Sequence, residues 1–321
     1  MAWSNVMTDS ITQAVDGYIA LRRGLGYRSV TQERGLRAFG RYLNGHEGPI
    51  PLESTLDWAT ASSSTDPRNP ARRLAMVRGL LRHLHVLDGV TDVPAPGLLG
   101  STGHRSPPHV YSDAEIADLL DAAGGLDPAG GLRPICYATL FGLLACTGLR
   151  ISEALALSCA DVDIDGGVIT VRAGKRGLTR LVPLHASAVT ALNAYACERE
   201  RRHGRPDPQA AFFRTDWSER IGYNTAHHAF SVLRRRLGWT AIGRTRVPRI
   251  HDLRHRMVVR RIQTWHAEGA DVDARIAVLA TYLGHVEVRD VYWYLSAVPE
   301  LMDIVGKRFE TFSQPTTPGA P

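Results

Sequence analysis

A stretch rich in proline, glycine and serine interrupts the chain near residue 100. Residues 91–110 read TDVPAPGLLGSTGHRSPPHV, a composition that neither a helix nor a strand tolerates well. Because 321 residues are enough for two cores of ordinary size, this stretch predicts a domain boundary. We expect a first domain over residues 1–100, a linker over 101–110, a second domain over 111–310 and a disordered tail over 311–321.

Apolar periodicity predicts different structures on the two sides of the linker. In the first domain, helical spacing recurs over 11–24, 31–43 and 72–87. In the second, Ser112 and Glu115 predict a capping box at a helix start. Alternation over 161–172 and 178–184, around two glycine-containing turns, predicts three short antiparallel strands. Further helices are predicted over 133–147, 186–201, 223–237, 252–267, 273–282, 288–295 and 299–309. The fold class is therefore mainly α with a small antiparallel β-sheet.

Composition excludes several classes of protein. With 44% apolar and 22% charged residues, the chain is neither globally disordered nor fibrous. Its most apolar stretch, 134–146, is too short to span a bilayer, and Met1–Ser10 lacks a signal-peptide pattern, so we expect a cytoplasmic protein. The four cysteines form no C-x-x-C pair and are expected to be buried thiols. Without a P-loop or dinucleotide fingerprint, neither nucleotide hydrolysis nor NAD chemistry is indicated.

Positive charge is concentrated in one block. Between residues 201 and 260, fourteen arginines stand against four acidic residues, although the net charge of the whole chain is only +6. Such a block fits a binding surface for a polyanion and equally a solvated arginine-rich face. Of the 38 basic residues only Lys175 and Lys307 are lysine. A lysine in this chain is therefore an unusual choice.

Four short motifs of the second domain contain side chains suited to phosphoryl transfer. They are TGLRISE (147–153), GK (174–175) with RLVPL (180–184), HDLRH (251–255), and LGH (283–285) followed by Tyr292 and Tyr294. Each motif alone has an ordinary interpretation. Arg150 could be a helix-start arginine that pairs with Glu153, and Lys175 could be an ordinary turn lysine. The histidines could be helix caps or core residues, and the tyrosines could be packing residues.

Together, these side chains supply what phosphoryl transfer without a metal requires. The guanidinium forks of Arg150 and Arg254 can hold the non-bridging oxygens of a phosphodiester. His251, at i, i+3 spacing from Arg254, can accept the proton of a tyrosine hydroxyl. The leaving oxygen needs an acid that gives up its proton, which an ammonium does more readily than a guanidinium. Lys175 is therefore the candidate acid.

The order and spacing of these motifs resemble the tyrosine recombinases, or phage-type integrases, most of all those encoded by transposons and other mobile elements. The resemblance covers nearly the whole chain. It implies an N-terminal helical core-binding (SAM-like) domain and a C-terminal catalytic domain that together clamp around DNA. It implies that Tyr294 forms a 3′-phosphotyrosyl intermediate without metal, ATP or another cofactor. The other catalytic residues implied are Arg150, Lys175, His251, Arg254 and His285, with Glu153 orienting Arg150.

The resemblance also implies partners. The expected substrate is double-stranded DNA with inverted-repeat recombination sites, bound by a homotetramer in the synaptic complex, with accessory recombination proteins as an optional addition and no membrane. The expected location is the cytoplasm, at the nucleoid. The basic block then supplies most of the candidate DNA-binding residues, which are Arg180, Arg234, Arg235, Arg236, Arg244 and Arg246.

Two departures from the family pattern concern the local path of the chain. The interval from Arg254 to His285 is longer than the compact pattern by about two helical turns. Arg256 stands where a small hydroxyl residue is common. Tyr292 is an alternative nucleophile. On a helix the two tyrosines would point about 200° apart, so only one of them can face the phosphate.

Three other interpretations stay open at this point. A type IB topoisomerase shares the chemistry but rejoins the strand to itself. An accessory DNA-binding protein of the same fold would not cleave. Zinc held by His251 and His255 has the right pair spacing for a helix but no third ligand in an evident place.

Overall fold

The computed structural model describes residues 11–27, 29–46, 48–103, 107–172, 179–241 and 246–284, together with Val291. The chain divides into two compact units, Met1–Arg105 and Ser106–Pro321. Several predictions fall outside the described residues: those on Lys175, Arg244, His285, Tyr292 and Tyr294, the helix over 299–309, most of the helix over 288–295, and the tail.

Four helices form the described part of the first unit. They are α1 (Ile11–Gly24), α2 (Val30–Tyr42), α3 (Leu52–Thr60) and α4 (Asn69–Asp88). Their apolar faces share one core, in which the rings of Phe39 and Trp58 meet edge to face at 5.0 Å. Periodicity predicted α1, α2 and α4. It missed α3, because this nine-residue helix completes too few turns to show a period.

Seven described helices belong to the second unit. They are α5 (Asp113–Gly124), α6 (Leu132–Thr147), α7 (Ile151–Ala156), α8 (Ala186–His203), α9 (Tyr223–Arg236), α10 (Ile250–Ala267) and α11 (Val272–Leu283). Helix α6 is buried on most sides, and α5, α8 and α10 pack around it. The capping box at α5 is present, since Ser112 and Glu115 exchange hydrogen bonds between side chain and backbone N–H.

A three-stranded antiparallel sheet lies between α7 and α8. Its strands are β1 (Val162–Asp163), β2 (Val168–Val171) and β3 (Arg180–Pro183), with β2 in the centre. Ile169 of β2 pairs with Val162 on one side and Val182 on the other. Ile169 and Val182 are fully buried, so one face of the sheet joins the core of the unit. The prediction of a mainly α fold with a small antiparallel sheet is confirmed.

The cysteine prediction is wrong in part. Cys136 is buried, but Cys146 and Cys197 are exposed and Cys159 is partly buried. The apolar neighbours of Cys146 lie on the core faces of α6, whereas Cys146 itself lies on the solvent side. No helix in the described part of the chain is both long and apolar enough to cross a membrane.

Candidate active site

Arg150 stands at the N-cap of α7, directly in front of the helix. Its Nη1 donates to Oε1 of Glu153 at 2.8 Å, and its backbone N–H donates to Oε2 of the same carboxylate at 3.0 Å. The side chain is 25% exposed. Its Nε and Nη2 make no hydrogen bond to any residue in the described ranges. The ordinary pairing with Glu153 is thus present, and it leaves one edge of the guanidinium for a ligand.

Glu153 is shared by two arginines. Arg180 of β3 donates Nη1 to Oε1 at 3.2 Å and Nη2 to Oε2 at 2.8 Å, which is a bidentate ion pair. Burial alone would raise the pKa of Glu153, but hydrogen bonds from Arg180 and from the Arg150 backbone, with the charges of both guanidiniums, lower it to about 2. Glu153 therefore carries a fixed negative charge between the two arginines at neutral pH.

Arg254 joins the ends of two helices. Its Nη1 donates to the carbonyl of Gly148 at 2.6 Å and its Nη2 to that of Leu283 at 2.8 Å. These carbonyls belong to the C-terminal ends of α6 and α11, where helices leave backbone acceptors unpaired. The residue is 2% exposed. Arg254 thus fixes the TGLR turn and the LG turn to α10, the helix that carries it.

Gly148 makes this close approach possible. It ends α6 with φ +65°, a conformation that favours glycine. A Cβ at this position would lie 3.3 Å from both Leu283 Cδ2 and Met257 Sδ. Glycine is therefore required at this turn by backbone conformation, and a side chain would also crowd the α11 contact.

His251 lies one helical turn before Arg254 on α10. The pKa of His251 is lowered to about 4, first because the surrounding protein displaces water from the ring and next because of the charge of Arg254, with a weaker contribution from Arg150. The residue is nevertheless exposed at the surface, so a reacting group can reach it. His251 is neutral at pH 7 and able to accept a proton.

The neighbouring His255 is buried and packs against His251. Their rings meet edge to face at 90°, with centroids 4.9 Å apart. Among the described residues, no group of three or more histidine, cysteine, aspartate or glutamate side chains is placed to hold a metal ion. Within those ranges the zinc hypothesis still lacks a third ligand.

Arg256 has a structural explanation. Its Nε donates to the carbonyl of Tyr111 at 3.0 Å, and its guanidinium pairs with Asp113. Arg260, one turn further along α10, donates to the same carboxylate at 2.6 Å. The start of the second unit is in this way fastened to the helix that carries His251 and Arg254, a contact that a small hydroxyl side chain does not make.

The structure therefore brings all four motifs together through their described residues. Arg254 contacts the first and fourth motifs, and Arg180 ties the second to the first. The side chains of Arg150, His251 and Arg254 share one region, since both arginines act on the pKa of His251. Lys175, His285, Tyr292 and Tyr294 lie outside the described residues.

The arginines predicted to bind DNA fall in different surroundings. Arg235, Arg236 and Arg246 are exposed, and Arg234 is partly buried. The side chain of Arg180 is only 11% exposed and faces Glu153. Counting charges did not reveal the contacts of Arg180, although the alternation of buried and exposed residues along β3 indicated that its side chain points inward. Arg180 is two residues from the buried Val182, so both point to the same side of the strand.

Comparison with known proteins identifies the family of this chain. The Phage integrase family model matches residues 112–300. A putative integrase/recombinase of Sinorhizobium fredii, y4rB, is 38% identical over 93% of this chain and 96% of its own length. The tyrosine recombinase XerD of Mycobacterium tuberculosis is 32% identical over 70% of this chain and 68% of its own length.

Two solved structures share the fold. The Tn1549 transposon integrase in complex with transposon right-end DNA has a TM-score of 0.66 at 15% identity, covering 95% of this chain and 100% of that one. A lambda integrase dimer bound to a COC′ core site has a TM-score of 0.61 at 14% identity, covering 88% and 76%. The chain belongs to the phage integrase family of tyrosine recombinases, enzymes that transfer DNA strands in site-specific recombination.

Proposed function

We propose that this chain cleaves duplex DNA by attack of the Tyr294 hydroxyl on a phosphate held by Arg150 and Arg254. The observation that carries the proposal is the convergence of these two guanidiniums with a neutral His251. One edge of Arg150 is available to a non-bridging oxygen, and its position is set by the Glu153 carboxylate. Guanidinium groups fixed before the reaction stabilise the charge that develops in the transition state.

His251 and Lys175 carry the proposed proton transfers. The Tyr294 oxygen forms a bond to phosphorus while the bond to the 5′ oxygen of the next nucleotide breaks. His251 accepts the tyrosine proton, because its ring is neutral at pH 7 and the negative charge of the bound phosphate offsets the arginine charge that lowers its pKa. Lys175 donates a proton to the leaving 5′ oxygen, and His285 donates a hydrogen bond to a non-bridging oxygen. The products are a 3′-phosphotyrosyl ester and a free 5′-hydroxyl.

The second half of the reaction reverses the first on a different strand. The 5′-hydroxyl of a partner duplex gives its proton to Lys175 and attacks the phosphorus, and the Tyr294 oxygen leaves with the proton that His251 held. Because one phosphodiester is exchanged for another through an ester of similar energy, the cycle needs no ATP, and the arginines serve where a metal ion would otherwise hold the phosphate.

The proposed substrate is double-stranded DNA that carries inverted-repeat sites, bound at the nucleoid. The related Tn1549 and lambda integrases were solved with DNA, which supports a duplex partner for this chain as well. Exposed Arg235, Arg236 and Arg246 supply charge for phosphate contacts. Two strand exchanges within a homotetramer recombine two sites, with accessory proteins as an optional component and a mobile element as the genetic context.

Covalent capture tests this proposal. A duplex nicked just downstream of the scissile phosphate loses its short leaving fragment, so that cleavage traps the enzyme on DNA. We expect a covalent product with the wild-type chain and with Tyr292→Phe, and none with Tyr294→Phe, because only Tyr294 supplies the nucleophile. Loss of the product in Tyr292→Phe alone would transfer that role to Tyr292. Relaxation of supercoiled DNA without exchange between two sites would instead indicate a topoisomerase.

A further inference from the structure

We propose that Arg180 is a positioning residue that couples Arg150 to the end of α11, rather than a residue that contacts DNA. The proposal rests on the function above, because the group that Arg180 positions is one of the two phosphate-holding arginines. It starts from the burial of Arg180, whose side chain is 11% exposed although it carries a full charge. A buried guanidinium needs fixed partners.

Each nitrogen of the Arg180 guanidinium has a partner. Nη1 and Nη2 hold the Glu153 carboxylate as a fork, at 3.2 Å and 2.8 Å. Nε donates to the backbone carbonyl of Tyr282 at 2.9 Å. Glu153 and Tyr282 are distant in the sequence from Arg180, on α7 and α11. One side chain of β3 therefore connects two helices of the site.

The contact with Tyr282 lies in the last turn of α11. Carbonyls at this end of a helix have no partner within it. Arg180 occupies the carbonyl of Tyr282 and Arg254 occupies the next one, that of Leu283. The helix ends at Gly284 with φ +66°, and a Cβ there would lie 2.8 Å from Arg180 Nη1. The guanidinium is thus packed on the turn that leads directly into His285.

The contact with Glu153 reaches Arg150. Oε1 accepts from Nη1 of both Arg150 and Arg180, so the carboxylate is held from two sides. Without Arg180, the buried carboxylate would keep only Arg150 as a charged partner, and its own orientation would loosen. Lysine cannot replace the arginine, because a single ammonium does not hold both carboxylate oxygens and a carbonyl in a fixed plane. We expect the loss to appear in the rate of chemistry.

Arg172 provides a matched control. It follows β2 in the same sheet and also pairs with a buried carboxylate, Asp161, whose side chain is 6% exposed. Its own side chain is 64% exposed, and its described partner lies outside the four motifs. Removing this ion pair tests the effect of losing an arginine–carboxylate pair from the sheet without touching Glu153.

The experiment uses the full chain and the nicked duplex, with separate measurements of DNA affinity and of the single-turnover rate of covalent attachment at saturating DNA. For Arg180→Met we expect a rate roughly 10- to 100-fold lower, the range for a small displacement of a catalytic group. Affinity should stay within about threefold, and Arg180→Lys should also be slow. Arg172→Met should stay within about twofold of wild type. A normal rate at saturation with weakened binding would overturn the proposal and restore Arg180 as a DNA contact.

A modified phosphate separates positioning from general loosening of the structure. A methylphosphonate at the scissile position lacks one negative charge, so its cleavage depends less on the placement of Arg150. We expect the defect of Arg180→Met to shrink to about threefold or less on this substrate. An equal defect on both substrates would contradict action through Arg150.

A double variant covers the case in which Arg180→Met folds poorly. If Arg180 acts through Glu153, then Glu153→Gln combined with Arg180→Lys should be no slower than the slower single variant. Multiplied defects would overturn the coupling. If the wild-type chain forms no covalent product on the same duplex, the proposed function itself fails. If the wild-type chain reacts and the Arg180 variants react at the same rate, only the positioning role fails.

Discussion

The arginines of the candidate active site and those on α9 carry the same chemical group in different surroundings. Arg180 and Arg254 are largely buried, and each donates to fixed oxygens on other elements. Arg235 and Arg236, at the end of α9, are exposed. In the first set the planar fork determines the geometry, whereas in the second we expect the charge alone to act on a polyanion. Substitutions that keep the charge and remove the fork should therefore separate the two sets.

Replacement of Lys175 by arginine gives the largest expected effect, because this position needs a proton donor and not a guanidinium fork. Lys175→Arg keeps the positive charge but replaces a proton donor with one that deprotonates poorly. We expect cleavage to slow by about 10²- to 10⁴-fold, the usual contribution of a general acid, while DNA affinity stays close to wild type. Single-turnover covalent capture measures the rate.

A sulfur atom at the 5′ bridging position provides the control for Lys175. A thiolate leaves without a proton, so the acid is no longer needed. Cleavage of this substrate by Lys175→Arg should approach the wild-type rate. Equal slowing on the oxygen and sulfur substrates would remove Lys175 from the role of acid.

Arg150→Lys and Arg254→Lys test the fork itself. Each should lower the rate of cleavage by about 10²- to 10³-fold, the effect of removing one fixed donor to a transition-state oxygen. Arg235→Lys, which makes the same change on the exposed side of α9, should alter the rate by less than about threefold. The melting temperature of Arg254→Lys checks that the variant with the buried substitution is folded. Similarly small losses of rate for the site arginines and for Arg235 would contradict the idea that the site arginines act through the geometry of the guanidinium.

Neutralising the exposed arginines should affect binding and leave the chemistry alone. Changing Arg235, Arg236 and Arg246 to glutamine removes charge without opening the core. For each phosphate that no longer pairs with an arginine, the slope of log affinity against log salt should flatten by about 0.9. The rate at saturating DNA should stay within about twofold of wild type. An unchanged slope would return these residues to the interpretation as a solvated face.

His251 gives the smallest expected effect, a change in protonation caused first by burial of its ring and next by the charge of the nearby arginines. Its pKa of about 4 means that the ring stays neutral between pH 7.5 and 5.5 in the protein without DNA. The unfolded chain, with a pKa near 6.5, binds the proton first, so this residue makes stability fall as the pH drops from about 6.5 to 4. In an NMR titration, the His251 signal, assigned by its absence in His251→Gln, should show no midpoint near pH 6.5. A midpoint near 6.5 for His251 would contradict both the burial of the ring and its closeness to Arg254.

Local patterns in the sequence predicted much of this molecule. The helix and strand periods located most elements within a few residues, and the motif HDLRH placed His251 and Arg254 one turn apart on α10. The pairing of Arg150 with Glu153 also followed from i, i+3 spacing. These features depend on neighbours in the chain, which is why spacing alone was enough to find them.

Contacts between distant residues were not predictable in this way. Arg254 binds a carbonyl 106 residues away, and Arg180 binds a carbonyl 102 residues away. Backbone carbonyls carry no residue-specific signal in the sequence. Charge counting therefore placed Arg180 with the DNA-binding arginines, although its position in β3 turns it toward the core with Val182. Packing between elements, which the sequence does not state, decides the use of each guanidinium.

The attacking residue can be identified directly on the wild-type chain. Covalent product from the nicked duplex is digested with nuclease and trypsin, and the nucleotide-bearing peptide is sequenced by tandem mass spectrometry. We predict a single phosphodiester adduct on the peptide that follows Arg289, carried by the Tyr294 oxygen. An adduct on Tyr292, or on any residue outside this peptide, would contradict the assignment of the nucleophile to Tyr294.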